Sequence, residues 1–465
     1  MTIAEISQAV GEGKKTATEI TEQALAQIDK TDSQLNAFVR VMKEEALEQA
    51  RDLDQKGEKG PLAGVVVAIK DNICTKGIPT SCGSKSLENY IPPYDAHVIE
   101  RLREADAILI GKTNMDEFGM GSSTEYSSFG PTKNPHNPEY VPGGSSGGSA
   151  TAVAADQAVA ALGSDTGGSI RQPGAFTGTV GFKPTYGRVS RYGLVAFASS
   201  FDQIGPITKT VDDARRIFDV ITGVDPRDAT SVDRPRGERT ATLKGVKIGI
   251  PDQFFPKGLD AEVASSVEAA ITKAEEEGAI RVPVSLPTLD SAISAYYLIA
   301  MSEASSNLGR YDGVHYGHRS REAGDLLSLH LNSRREGFGE EVKRRILLGT
   351  FSLSSGYQEA WYGHALKVRR LIHEDFQKAF EEVDVLAGPT CPSAAFRFGE
   401  KVNNPLEMYL SDIFTVGANL AGLPAISIPA GKTKDGLPLG LQLMGKAYED
   451  DRVLDVAEQI EKSQD

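Results

Sequence analysis

Six short, continuous apolar runs punctuate the chain: GVVVAIK ending at Lys70, AILIGK ending at Lys112, AVAALGS ending at Ser164, VKIGI at 246–250, VDVLAG at 383–388 and AISIPAG at 425–431. Each is apolar throughout rather than at alternate positions, which is how a strand reads when both of its faces are covered. Segments with helical periodicity, such as TVDDARRIFDVITG and AEVASSVEAAITKAEEEG, lie between them. Strand and helix therefore alternate, which predicts a large α/β sheet covered on both faces by helices.

The N-terminal part, about 1–60, predicts two or three helices from Ile20, Ala24, Ile28, Ala46, Ala50 and Leu53, with breaks at Gly11 and at Lys30-Thr31-Asp32. Length alone leaves one to three domains open. The polar stretch 225–240 is a linker candidate or a surface loop. With 40% apolar and 25% charged residues there is enough apolar material for a large core. No run approaches the roughly 20 residues that span a bilayer, so a soluble protein without membrane association is expected.

The net charge of −14 disfavours independent binding to a polyanion, because Lys and Arg supply most affinity for phosphates. Cys74, Cys82 and Cys391 are odd in number and lack a CxxC spacing, which fits neither a disulfide framework nor a thiolate zinc site. His315 and His318 have no further ligand at metal spacing, so no metal is expected. The first residues carry no basic leader, and a cytoplasmic enzyme is expected.

Between 119 and 206 the texture changes to Gly, Ser and Thr: GMGSSTEYSSFGPT, PGGSSGGSA, GSDTGGSIRQPG and KPTYGRVSRYG. Loops of this kind, bracketed by strand runs, are where a rigid scaffold displays reactive groups. A phosphate-binding GxxxxGK[ST] is absent, since Asp106 stands where Gly111-Lys112-Thr113 would need its first glycine. Gly143-Gly144-Ser145-Ser146-Gly147 matches GxSxG, but NPHNPEYVP before it cannot supply the strand of a nucleophile elbow.

A serine hydroxyl needs a neighbouring base, and the only histidine in this region is His136. Lys70, at the end of its strand, can serve if neutral. Bringing its pKa from about 10.4 to about 7 corresponds to about 4 kcal/mol, which burial can supply. The competing role for Lys70 is an ion pair with Asp71. Consecutive glycines before Ser169 would let the N–H groups of Thr166, Gly167 and Gly168 converge as an oxyanion hole.

Lys70 in AIKDNI, PGGSSGGSAT and GSDTGGSIRQP together closely resemble the amidase signature family, with separations of 75 residues from Lys70 to Ser145 and 24 from Ser145 to Ser169. The resemblance implies one amidase signature domain over 1–465, with its Gly/Ser-rich catalytic core at about 61–210. It also implies a large mixed sheet and a Ser-cis-Ser-Lys triad, in which Ser169 is the nucleophile, Ser145 a bridging serine after a cis peptide, and Lys70 the base.

KPTYGRVSRYGLVAFASSFDQIGP, SEASSNLGRYDG and EVKRRILLGTFSLSSGY are similar to the glutaminase subunits of tRNA-dependent amidotransferases. That similarity implies a glutamine pocket of Tyr296, Arg345 and Asp412, with Arg345 holding the α-carboxylate by a bidentate fork and Asp412 the α-ammonium. It also implies a heterotrimer with a B subunit, which binds tRNA and uses ATP and Mg, and a small C subunit; this chain itself would bind neither cofactor. The alternatives are a free-standing amidase acting on a small amide and a non-catalytic scaffold.

Overall fold

The computed structural model describes residues 1–464 except 238. Eleven strands form one mixed sheet: β1 (Phe38–Val41), β2 (Val66–Lys70), β3 (Ile108–Thr113), β4 (Ala160–Asp165), β5 (Val180–Lys183), β6 (Gln203–Thr208), β7 (Lys247–Pro251), β8 (Ile280–Val284), β9 (Val385–Pro389), β10 (Ala425–Lys432) and β11 (Pro438–Gly445). Their order is β1-β3-β2-β4-β6-β5-β10-β11-β9-β7-β8. β2 pairs in parallel with β3 and β4, and β7 with β8 and β9. The centre is antiparallel through β4/β6, β6/β5, β5/β10, β10/β11 and β11/β9.

All six apolar runs are strands, and every residue of β2, β3, β4 and β9 is buried, as expected of strands with both faces covered. The predicted helices lie at Val211–Ile221 and Ala261–Glu276. Three helices occupy the N-terminal part, Ile3–Gly11, Ala17–Leu35 and Lys43–Gln55. Capping boxes start the first two, Thr2 with Glu5 and Thr16 with Glu19.

The break expected at Lys30-Thr31-Asp32 does not occur. The Thr31 hydroxyl donates to the Gln27 carbonyl (2.6 Å), a bond compatible with helix, and Asp32 accepts from Ala37 N (2.8 Å) beyond the helix end. The helix instead stops at Asn36, whose φ of 52° suits a left-handed C-cap. The stretch 225–240 is also no loose linker. Arg236 and Gly237 bond to Asp451, and Thr240 N to Asp455, on the helix Asp450–Gln464. Strands on either side of it belong to the one sheet.

Parallel order places the ends of β2 and β4 side by side, so Lys70 and Asp165 reach the same edge of the sheet. The loops following these strands carry the Gly/Ser clusters. A second body of buried apolar residues, including Phe118, Phe197, Phe201, Tyr296, Tyr297 and Tyr409, encloses that edge.

Candidate active site

Lys70 is fully buried at the end of β2, and its Nζ donates to Ser145 Oγ (2.7 Å), Ser146 Oγ (2.8 Å) and the Ser164 carbonyl (3.3 Å). Burial lowers its pKa to about 7, against the opposing charges of Asp116, Asp165 and Asp202. Among the described residues no ion pair joins it to Asp71, which instead accepts from Ser81 N (2.9 Å) and lies 3.7 Å from Lys112 Nζ. Lys70 is thus held by two hydroxyls and a carbonyl with no carboxylate bonded to it, surroundings that favour loss of its proton.

Ser145 follows a cis peptide from Gly144, as expected. Ser146, to which the sequence assigns no role, is a second hydroxyl on the lysine; its signal is adjacency to Ser145 in PGGSSGG. Among the described residues no strand leads directly into this loop, and the helix Gly147–Ala154 follows it, so the GxSxG match is not a nucleophile elbow.

The nucleophile loop hangs from Asp165 at the end of β4. Asp165 accepts from Gly168 N (2.9 Å), Ile170 N (3.2 Å) and both Arg171 Nε (3.0 Å) and Nη2 (2.9 Å). Burial would raise its pKa, but the Arg171 guanidinium outweighs burial and holds the carboxyl well below the usual range. Gly168 has φ of 131°, a conformation reserved for glycine.

Ser169 is 9% exposed, and its hydroxyl makes no hydrogen bond among the described residues. Its carbonyl accepts from Ser146 N (3.2 Å), which ties the two serine loops together. Lys70 and Ser145 are therefore directly bonded, while the Ser145 and Ser169 hydroxyls are not bonded to each other. Gly168 departs from the expected oxyanion role because its N–H is taken by Asp165. Among the described residues the N–H groups of Thr166, Gly167 and Ser169 have no acceptor. Ser169 N, unlike Gly168 N, is thus left open to a ligand oxygen.

The three pocket residues come together beside this loop. Tyr296 and Tyr297 lie on the helix Ala292–Asn307, Arg345 on the helix Glu340–Ser352, and Asp412 just before Val416–Ala421. Tyr296 stands so close to Gly167 that a Cβ there would overlap its hydroxyl. The Thr415 hydroxyl donates to the Gly167 carbonyl (2.6 Å) and the Asp412 carbonyl (3.0 Å), joining the nucleophile loop to the Asp412 segment.

Asp412 accepts from Ser122 Oγ (2.9 Å) and Tyr297 Oη (2.8 Å). Burial pushes its pKa up to about 6, against the Tyr297 and Ser122 hydrogen bonds that favour the carboxylate. Arg345 packs near the rings of Phe197, Tyr297 and Tyr409, at 5.7, 5.3 and 5.1 Å. Its Nε donates to Glu341 Oε1 (2.7 Å), which also accepts from Tyr409 Oη (2.9 Å). Burial alone would lower the arginine's pKa, but Glu341 outweighs it and keeps the group protonated. The two terminal amino groups of Arg345 meet no acceptor among the described residues.

Glu341 does not stand out in the sequence, although its place four residues before Arg345 on one helix is the spacing of an ion pair. Ser122, Tyr297 and Tyr409 are contacts made by the fold, with no sequence signal of their own. The arrangement brings together a lysine whose pKa of about 7 lets it shed its proton near neutral pH, a serine hydroxyl and backbone amides with no partners among the described residues, and a cation and an anion flanking Tyr297. The histidines considered for a metal are each bound to a carboxylate, His315 to Asp312 and His318 to Glu336.

Residues 19–454 match the amidase family. The chain is 53% identical over 471 residues to the A subunit of the glutamyl-tRNA(Gln) amidotransferase of Persephonella marina, covering 100% of this chain and 97% of that protein. It is 55% identical over 468 residues to the protein of the same name from Carboxydothermus hydrogenoformans, covering 99% and 96%. The crystal structure of the A subunit of the glutamyl-tRNA(Gln) amidotransferase of Thermotoga maritima superposes with a TM-score of 0.83 at 43% identity, covering 99% of this chain and 94% of that one. The native peptide amidase of Stenotrophomonas maltophilia has the same fold, with a TM-score of 0.83 at 29% identity and coverage of 99% and 96%. With the Lys70 and serine loops in place at the sheet edge and this similarity along its length, the chain belongs to the amidase family.

Proposed function

We propose that this chain is the glutamine-hydrolysing A subunit of a tRNA-dependent amidotransferase whose assembled form acts on misacylated glutamyl-tRNA(Gln), aspartyl-tRNA(Asn) or both. The observation that carries the reading is the pairing of a neutral-lysine serine centre with Arg345 and Asp412 on either side of Tyr297. A zwitterionic amino acid needs both charges, whereas an apolar amide has use for neither. The names of the relatives at 53–55% identity support it.

Lys70, neutral, accepts a proton from Ser145 as Ser145 takes the proton of Ser169. Ser169 Oγ attacks the side-chain amide carbon of glutamine, and the N–H groups of Thr166, Gly167 and Ser169 stabilise the oxyanion, each donor contributing about 3 kcal/mol. The proton returns through Ser145 to the leaving nitrogen, the C–N bond breaks, and ammonia departs. A γ-glutamyl ester remains on Ser169. Water, deprotonated along the same relay, attacks the ester and releases glutamate. Arg345 and Asp412 hold the α-carboxylate and α-ammonium throughout.

Ammonia is used in a partner B subunit, which binds tRNA and consumes ATP with Mg, and a C subunit completes a cytoplasmic heterotrimer. This division suits a chain with net charge −14 and no GxxxxGK[ST] run. Ser169→Ala in the assembled enzyme tests the reading: glutamine hydrolysis should vanish while transamidation from added ammonium persists. Near-wild-type turnover of glutamine would overturn it. A wild type that prefers an apolar amide to glutamine would favour a free-standing amidase, and failure of a fluorophosphonate to label Ser169 would favour a scaffold.

A further inference from the structure

The segment 116–122 borders the Ser145 loop, Asp412 and the start of the Arg345 helix, yet none of its residues belongs to the triad or directly to the glutamine clamp. Asp116 is fully buried. Its carboxylate accepts from Thr124 N (2.9 Å), Tyr126 N (3.2 Å) and Ser123 N (3.3 Å), and its own N–H donates to the Ser145 carbonyl (3.3 Å). The carboxylate also packs directly on Gly144 and Gly121, where a Cβ would overlap it. It thus abuts the peptide that presents Ser145 to Lys70. The carboxylates felt by Lys70 are Asp116 first, then Asp165 and Asp202, while the buried Cys82 thiol nearby stays protonated.

Glu117, next in the chain, points to the other half of the site. It accepts from Ser84 Oγ (2.5 Å) and from Gly339 N (2.8 Å), and Gly339 is the N-cap of the helix that carries Glu341 and Arg345. Val342, three residues into that helix, cannot reach back to the cap, so Glu117 supplies to the Gly339 N–H the oxygen that the Glu or Gln of a capping box would provide. Burial pushes the Glu117 carboxyl up to about 7, against the pull of its Ser84 and Gly339 hydrogen bonds. Phe118, at φ of 51°, is held in the left-handed region, and its ring packs on Tyr311 (5.1 Å) and Phe338 (5.7 Å) just ahead of that helix. A bulky residue occupies this conformation only where its surroundings over-determine it.

We propose that Asp116 and Glu117 are adjacent positioning residues that hold the two halves of the site in register: Asp116 fixes the Ser145 loop against Lys70, and Glu117 fixes the Arg345 helix at the distance glutamine requires. The inference rests on the glutaminase reading, and it divides the two residues between different kinetic constants. Asp116 acts on chemistry with any amide; Glu117 acts on recognition of the substrate α-carboxylate.

The test is steady-state kinetics of the complete enzyme with glutamine and with butanamide, which lacks the α-groups. Glu117→Ala should raise KM for glutamine about 10-fold or more with kcat within about threefold, and leave butanamide hydrolysis unchanged. Glu117→Gln, which can keep both hydrogen bonds, should recover most of that loss. Asp116→Asn should lower kcat about 10-fold or more on both substrates and move the acid limb of kcat/KM to lower pH, because a negative charge near Lys70 has been removed.

If Asp116→Asn does not fold, Asp116→Glu keeps the charge but cannot fit against Gly144 without moving it, so kcat should fall with the acid limb in place. An unchanged KM in Glu117→Ala, equal losses on both substrates in that variant, or an unmoved acid limb in folded Asp116→Asn would overturn the proposal. Ser169→Ala and Arg345→Met measured alongside separate the two levels. If both are impaired as expected while the Asp116 and Glu117 variants behave as wild type, this inference alone fails; if they are not impaired, the glutaminase reading fails.

Discussion

Lys70 Nζ lies 2.7 Å from Ser145 Oγ, inside a buried set of acceptors that, among the described residues, contains no carboxylate. With no carboxylate bonded to it directly, burial is free to bring the lysine to a pKa of about 7. Sign follows from chemistry: the neutral lysine is the active form, so kcat/KM should rise with pH through about 7 and level off above it. A profile that is flat from pH 6 to 8, or that falls over that range, contradicts a lysine base.

Replacing Lys70 by arginine keeps a positive charge but removes the ability to deprotonate. Lys70→Arg should therefore be nearly as inactive as Lys70→Ala, a loss of about 100-fold or more for a general base. Substantial glutaminase activity in the arginine variant would show that the lysine serves only as a fixed charge. Ser145→Ala combined with Lys70→Ala should cost little more than either alone, since the two act as one relay.

Gly167 faces the Tyr296 hydroxyl with no room for a methyl group. Gly167→Ala should keep the fold, since its neighbour Gly168 and not Gly167 carries the positive φ, yet displace an oxyanion donor and lower kcat about 100-fold. Tyr296→Leu in the same chain removes both the hydroxyl and the ring carbon Cζ that the new methyl would strike, so the double variant should regain part of the activity. Equal kcat in the single and double variants would place the damage elsewhere.

Beneath the nucleophile, Arg171 bonds Asp165 through Nε and Nη2, and also Gln442 Oε1 (2.6 Å), Asn419 Oδ1 (2.7 Å) and the Thr415 carbonyl (3.0 Å). Removing one partner of such a buried pair strands the other. Arg171→Met should destabilise the protein by about 3–5 kcal/mol, read as a lower urea midpoint. Because Asp165 has a depressed pKa in the folded state, its contribution is present above the unfolded value of about 3.9 and fades as pH falls below it. The gap between wild type and variant should therefore narrow in acid.

The reactive half of the site was legible because its chemistry is local: Lys70 ends an apolar run, and Ser145 and Ser169 sit in glycine-rich loops whose composition stands out. The same holds for the six strands that follow the apolar runs, four of them buried along their whole length. Strands β1, β5, β6, β8 and β11 carry weaker signals: β1 and β8 are sheet edges, β5 is four residues long, β6 contains Pro206, and β11 mixes Gly and Gln into its apolar residues. Gly168 is a misleading candidate for the oxyanion hole because sequence shows where N–H groups are free of side chains, not that Asp165 turns back to claim one. Ser122, Tyr297 and Tyr409 meet their partners across separations of 290, 115 and 68 residues, distances over which periodicity carries no information.

In the proposed glutaminase, substrate choice depends on Arg345. Its terminal amino groups are open to a ligand while Nε is committed to Glu341. Truncation therefore has two effects, loss of the contact to the α-carboxylate and a buried Glu341 left with Tyr409 and Arg344. Arg345→Met with Glu341→Gln removes both charges together and isolates the first effect. An unpaired substrate carboxylate in a partly desolvated pocket costs about 2–4 kcal/mol, or about 30- to 1000-fold in kcat/KM for glutamine. Butanamide, which has no carboxylate, should be hydrolysed by the double variant at close to its slow wild-type rate. If both substrates lose activity equally, the arginine is structural and the zwitterion clamp is not the basis of specificity.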